Sequence, residues 1–359
     1  MNKKVLAIAI SSALTVPLAA HAVNFKVGGH VNRAVMFVDD GIASDTFQVD
    51  NSSSMSRLKA TGKEKLGVGG IDVGFALEMS FAKNRNSQVQ MKGGNGNGSA
   101  TQSFGIRQNY LWFGGNFGKV TMGHTSGAYD GVVNKSYAGI FLSGVNAGTT
   151  HGNAISFRDN AGGNVATLGS VRSNLDGGRT SLIKYDTPRL GPVGASVSIH
   201  DNQRINGQIN FKTSFSGAKV QGAIGFEENT NGGSATNKSN DQVGGSVAIL
   251  LSQGTNISFA YSEKELQDSL TGSETRDADN FSVSLGHHFG NNKVGINYSE
   301  TQDLALQGDE ATSWGLGFVH TIPGPKVELY AGYQNHDLDR TGTNVEDMDI
   351  FSMGARVRF

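Results

Sequence analysis

IDVGFALEMSFA, residues 71–82, alternates without a slip. Ile71, Val73, Phe75, Leu77, Met79 and Phe81 fall on one side, and Asp72, Gly74, Ala76, Glu78, Ser80 and Ala82 on the other. A period of two held for so long describes an extended strand with one apolar face and one small or polar face. Strands in soluble sandwiches average about five or six residues, whereas a tilted strand needs about ten to cross a bilayer. In that second setting the apolar face meets lipid and the polar face lines a wet lumen.

The pattern recurs outward from this stretch in both directions. Phe25, Val27, Gly29 and Val31 oppose Lys26, Gly28, His30 and Asn32. Phe281, Val283, Leu285, His287 and Phe289 alternate with Ser282, Ser284 and Gly286; Trp314, Leu316, Phe318 and His320 precede a turn at Pro323-Gly324-Pro325; Val327, Leu329 and Ala331 then alternate with Glu328, Tyr330 and Gly332. The chain finishes DIFSMGARVRF (349–359), with Phe351, Met353, Ala355, Val357 and Phe359 on one face and Ser352, Gly354, Arg356 and Arg358 on the other. Termini of soluble chains are more often polar and frayed.

Composition agrees with a sheet that needs most of its N–H groups. The 359 residues include 50 glycines but only 5 prolines, and proline cannot donate to a ladder. The chain has no cysteine, so disulfides do not staple it. Lys3 and Lys4, the run VLAIAISSALTVPLAA and the small-x-small triplet Ala20-His21-Ala22 read as a secretory signal, residues 1–22, cleaved after Ala22. Its loss leaves 23–359 as one domain with a formal net charge of −3, which gives no reason to expect nucleic acid as a partner.

Connections alternate as regularly as the residues do. Short turns are expected near 66–70, 115–118, 189–191, 216–218, 252–254, 290–292 and 322–325. Longer polar loops are expected near 39–54, 84–102, 127–178, 201–205, 228–241, 265–278, 302–311 and 337–347. An antiparallel meander puts every second connection at the same end, giving one smooth rim and one loop-bearing rim. Seven turns and eight loops join sixteen strands, an even number that closes a barrel and leaves no edge exposed to lipid. The fold expected is an all-β, transmembrane, antiparallel 16-stranded barrel.

Several segments, taken in order, resemble the trimeric general porins of Gram-negative outer membranes. SRLKATGKEKLGVGGIDVGFALEMSF (56–81) is similar to that family's second hairpin, RQNYLWFGGNFGKVTMGH (107–124) to the next, and GGRTSLIKYDTPRLGPVGASVS (177–198) to the strand after the third loop. The terminal strand ending in Phe359 resembles the signal read by the barrel-assembly machinery. The resemblance implies a homotrimer set in outer-membrane lipid and lipopolysaccharide, each subunit a water-filled channel for passive diffusion of small hydrophilic solutes. It also implies a long third loop, here 127–178, folded into the lumen.

Pore selectivity comes from width and from rings of charge and dipoles. By alternation Arg57, Lys59, Lys63 and Lys65 face the lumen, and Arg107 shares the side of Gly105 and Asn109, away from Ile106, Tyr110 and Trp112. The resemblance marks Arg57 and Arg107 as wall cations at the constriction, with Arg179 or Lys184 as a further candidate, and alternation adds Lys59 to the basic wall. For the acidic side the third loop offers Asp130, Asp159 and Asp176, of which Asp130 and Asp159 are the favoured pair, and Glu78 is a strand-borne partner for Arg57 or Arg107. The loop lacks the Pro-Glu-Phe run of many enterobacterial relatives. His124 stands where the family usually has arginine; if that arginine anchors a neighbouring subunit, the imidazole weakens the anchor or makes it sensitive to pH.

Other chemistries find little support. There is no GxSxG, no HExxH and no evident Ser–His pairing, which argues against an enzyme. GGNGNG (93–98) lacks the lysine and helix of a phosphate loop, and His287 and His288 point to opposite faces, so neither cofactor nor metal is expected. The alternatives are a substrate-selective outer-membrane channel and a barrel whose loops act as an adhesin or phage receptor.

Overall fold

The structure is a computed structural model that describes residues 24–66, 70–91, 103–146, 148, 151–201, 204–229, 238–267, 274–324 and 326–359. The proposed signal segment and the GGNGNG stretch lie outside the described residues. The strands in chain order are β1 (Asn24–Asp39), β2 (Ser44–Asp50), β3 (Arg57–Lys65), β4 (Asp72–Ala82), β5 (Ser103–Gly115), β6 (Gly118–Ser126), β7 (Ser156–Arg158), β8 (Asn164–Thr167), β9 (Arg179–Asp186) and β10 (Val193–His200). They continue as β11 (Arg204–Phe215), β12 (Ala218–Asn229), β13 (Lys238–Leu250), β14 (Thr255–Gln267), β15 (Glu274–Phe289), β16 (Asn292–Gln302), β17 (Glu310–Ile322), β18 (Val327–Asp339) and β19 (Met348–Arg358).

All but β7 and β8 belong to one antiparallel sheet that closes when β1 pairs with β19, from His30↔Arg358 to Asp39↔Asp349. Both β2 and β3 pair with β1 and are two halves of a single broken strand, so the barrel has sixteen strands. The break is a 3-10 turn at Ser52–Ser54 whose cap, Asn51, accepts from the Ser53 N–H at 2.9 Å and donates from Nδ2 to Leu142 O at 2.7 Å. The loop expected over 39–54 is thus half strand. Besides the 3-10 turn it bends at 40–43, held by Asp40 Oδ1, which accepts from the Ile42 and Ala43 N–H groups. The short alternation Phe47, Val49, buried against the lumen's contents, is the signal that the polar neighbours hid.

The outward face is a belt of exposed apolar side chains. Leu77, Phe81, Phe281, Leu285, Trp314, Leu316, Leu329, Phe351, Met353 and Val357 all stand on it, as the alternation requires. The inward face is unusual where it meets the third loop. Met36, Val38, Phe47, Val49, Met348 and Ile350 point inward and bury against Ile155, Phe157, Leu168 and Val171 of that loop. The hydrophobic core therefore sits inside the barrel, between loop and wall.

The third loop, 127–178, carries the β7–β8 hairpin and a one-turn helix at Leu168–Val171. It starts from Ala128, whose N–H is shared by Ser198 Oγ and Asn206 Oδ1 at 2.9 Å each. It then follows the inner wall past β15, where His288 Nε2 meets Ala138 O at 3.2 Å, and reaches β19, where His151 Nδ1 meets Ser352 Oγ at 3.1 Å. Its hairpin is tied to the rim by Arg158 Nε–Asp40 Oδ2 at 2.8 Å and by the Glu346 N–H donating to Arg158 O. On the way back Arg172 donates to Ser299 Oγ at 2.7 Å, and Asn174 O accepts from Ser262 Oγ at 2.9 Å.

Candidate functional site: a charged wall facing the third loop

The described anchors of the loop run along β10 to β19 and the first hairpin, and none of them falls on β3, β4 or β5. That bare wall holds the charges. Strand pairing sets Lys59 opposite Glu78 and Arg57 opposite Ser80, so side chains of β3 and β4 converge on the lumen. Glu78 Oε1 accepts from Arg57 Nη1 at 2.9 Å and from Arg107 Nε at 2.8 Å. One carboxylate, 6% exposed, is thus clamped between two guanidinium groups that are 18% and 19% exposed. Arg57 Nε also donates to Met55 O at 3.1 Å. Charge-assisted bonds of this kind fix geometry as well as energy. Two cations against one anion leave the cluster net positive, and exposed Lys59 lies within electrostatic range of Glu78.

Arg107 reaches Glu78 because β5 is bulged. Leu77 pairs with Asn109 and Glu78 with Gln108, but Met79 pairs with Ile106, so Arg107 is the extra residue. A bulge inverts the phase of everything beyond it. Phe104 and Ile106 face outward on one side of the bulge, Leu111 and Phe113 on the other. Arg107 and Gln108 both face in, Asn109 faces out, and Tyr110 and Trp112 face the lumen. Unbroken alternation from Arg107 puts Asn109 inside and the two aromatic residues outside; the extra residue reverses all three.

The remaining candidates separate. Arg179 starts β9 on the side of Ser181 and outward-facing Ile183, though within electrostatic range of Arg57. Lys184 has the opposite parity, beside buried Leu182; its Nζ donates to Ser126 O at 3.1 Å and lies within electrostatic range of Asp130. Asp159 sits in the β7–β8 turn, where Oδ1 accepts from the Ala161 and Gly163 N–H groups at 2.9 and 2.7 Å, and its backbone bridges to Val345. Its carboxylate is spent on that turn. His124 pairs with Asn109 and Ser181 in register, and these three polar residues form a patch on the outward face.

Asp176, not among the favoured acids, joins Asp130 to make the loop's acidic group. The β6–β9 ladder reaches Ser126↔Arg179, and the Gly127 N–H still donates to Gly178 O at 3.1 Å, so the two ends of the loop leave the wall side by side. Asp176 accepts from the Gly131 N–H at 3.0 Å and from Asn134 Nδ2. Burial, with Asp130 beside it, pushes the Asp176 carboxyl up to about 6 despite those hydrogen bonds. Lys135 lies within reach of both acids, and burial lowers its ammonium. The two aspartates are far apart along the chain and are brought together by the pairing of β6 with β9.

A closed barrel with an apolar exterior and a charged, loop-narrowed interior defines a transmembrane channel. A family model for Gram-negative porins matches residues 7–341, and the chain belongs to that family. It is an outer-membrane porin, a channel rather than an enzyme. Among solved structures, an anion-selective porin from Comamonas acidovorans is similar over 94% of this chain and 100% of its own, with 18% identity and a TM-score of 0.67. In-vitro folded OmpT, an outer membrane protein of Vibrio cholerae, is 15% identical over 95% and 99% of the two chains, TM-score 0.60. Salmonella typhi OmpF in complex with daunomycin is 12% identical over 94% and 98%, TM-score 0.59. Comparison with curated protein sequences finds no match.

Proposed function

We infer that the pore passes small hydrophilic solutes by passive diffusion, with a preference for anions set between a basic wall and the third loop. The observation that carries this is the Arg57–Glu78–Arg107 cluster, net positive and placed on the stretch of wall where the loop has no described anchor. Lys59 adds to that wall, and Lys184 and Arg179 stand at its edge. Asp130 and Asp176 are the facing acids; Asp159 is left out because its carboxylate caps a turn. The similar porin from Comamonas acidovorans is anion-selective, which supports the reading.

The chain is exported by residues 1–22, enters the outer membrane through recognition of the strand ending in Phe359, and works as a homotrimer among phospholipid and lipopolysaccharide. A trimer form is known for OmpT of Vibrio cholerae. The outward patch of Asn109, His124 and Ser181 supports a subunit contact, because polar side chains fit a protein neighbour better than lipid tails. Reconstitution into planar bilayers tests the whole reading. Stepwise conductance in units of three, with a reversal potential in a salt gradient that favours chloride over potassium, is expected. Absence of conductance sinks the channel, and a potassium-favouring potential sinks the basic wall.

A further inference from the structure

The bulge at Arg107 does more than deliver a guanidinium; it turns Tyr110 and Trp112 into a water-filled lumen. Trp112 lies along the wall. A Cβ on Gly74 would stand 2.6 Å from its Cε2, so only glycine leaves room for the ring there, and Gly114 lies under its other edge. With one ring face against the wall, the other is the face over which Lys63 extends. Tyr110, one step nearer Arg107 on the same face, has the small residues Ala76 and Gly123 as its partners in register. Lys63 holds its Nζ 5.8 Å from the Trp112 centroid while pairing with Asp72 at 2.7 Å, and its side chain is 58% exposed.

A pore lined only for water and ions has no use for two aromatic rings beneath its cation pair. Ring faces bind other rings in offset or edge-on geometry, and an ammonium beside them supplies charge complementarity. We propose that this stretch of wall is a solute subsite for aromatic carboxylates of the benzoate type, the ring resting on Trp112 and Tyr110 and the carboxylate directed to Lys63 and Lys59. The proposal rests on the channel reading above and names the solute class that the channel retains longest.

The chain has two tryptophans, and the other, Trp314, is on the lipid face, edge-on to Tyr333 at 5.3 Å. In Trp314→Phe protein reconstituted into phosphatidylcholine vesicles, iodide quenches the remaining fluorescence and brominated acyl chains do not; the reverse result overturns the lumenal placement. In planar bilayers benzoate reduces the chloride current at concentrations where acetate does not. Trp112→Leu raises the half-blocking benzoate concentration about fivefold, the scale of one ring contact, and Trp112→Tyr, which keeps a ring, retains the block. Neutral benzamide blocks more weakly than benzoate. Equal benzoate block in Trp112→Leu and the parent, with potassium chloride still conducted, overturns the subsite and leaves the porin intact. No chloride conductance in the parent removes the channel reading and the subsite with it.

Discussion

The inner wall of this barrel is two different surfaces. Beneath the third loop it is built like a protein interior, with Met36, Val49, Met348 and Ile350 buried and glycine where the loop comes closest. A Cβ on Gly332 would lie 2.4 Å from Ser143 O, and one on Gly244 would lie 2.6 Å from the Tyr129 hydroxyl. Further round the wall, β3 to β5 turn Arg57, Lys59 and Arg107 toward the lumen, with Glu78 buried between the two arginines. The rule that a barrel is polar inside holds only where water is what lies inside. Selectivity belongs to the bare wall, and pore width to the covered one.

The sharpest way to break that division is to strip the bare wall. Arg57→Ala with Arg107→Ala removes two cations and leaves Glu78 nearly buried and unpaired, a loss on the order of 3–5 kcal/mol. The reversal potential in a salt gradient should move toward cations, and adding Glu78→Gln should recover most of the stability and part of the anion preference. An unchanged potential in the double variant would reject the basic wall. On the covered side, Gly332→Val drives a side chain into Ser143 and costs about 1–3 kcal/mol by overpacking. It should push the loop into the lumen and lower single-channel conductance, while the ion preference keeps its sign.

A milder probe is pH. The folded protein holds the Asp176 proton up to about 6, above the ordinary aspartate value of 3.8, so ionisation opposes the folded loop. That cost is present above pH 6 and disappears as pH falls toward 4. Between pH 7 and pH 5 the loop loses most of one negative charge, and anion preference should rise. Asp176→Asn should abolish that pH step and stabilise the protein at pH 7 but not at pH 4. Smallest of all is Asp159→Asn, which weakens hydrogen bonds within one turn. It should cost about 1 kcal/mol or less in thermal unfolding and leave selectivity unmoved.

Much of the fold was legible because lipid imposes a strict period of two: the faces of β1, β4, β15, β17, β18 and β19 follow the sequence residue by residue. The charged wall was partly legible for the same reason, since Arg57, Lys59 and Glu78 lie on regular strands. The pattern misleads where the period is interrupted. In FGIRQNYLWF the aromatic residues Tyr110 and Trp112 continue the even series of Phe104 and Ile106 and so conceal the phase change that the pair Leu111 and Phe113 betrays. The loop's acids posed a different difficulty. Asp130 and Asp176 meet only because β6 pairs with β9, a fact of topology that no local pattern encodes.

The seam between β1 and β19 has a kinetic consequence. It joins His30 to Arg358, and above it the Tyr330 hydroxyl donates to Asn32 Oδ1 across 298 positions of chain. Loop-closure entropy grows only with the logarithm of that separation, but no intermediate reward exists in hydrocarbon, where each unpaired backbone group costs several kcal/mol. A sheet lacking this seam exposes two raw edges, and a register slip of one residue would aim Phe351 and Val357 at water. Insertion is therefore cooperative over the full circumference, and the meeting of these two strands sets its clock.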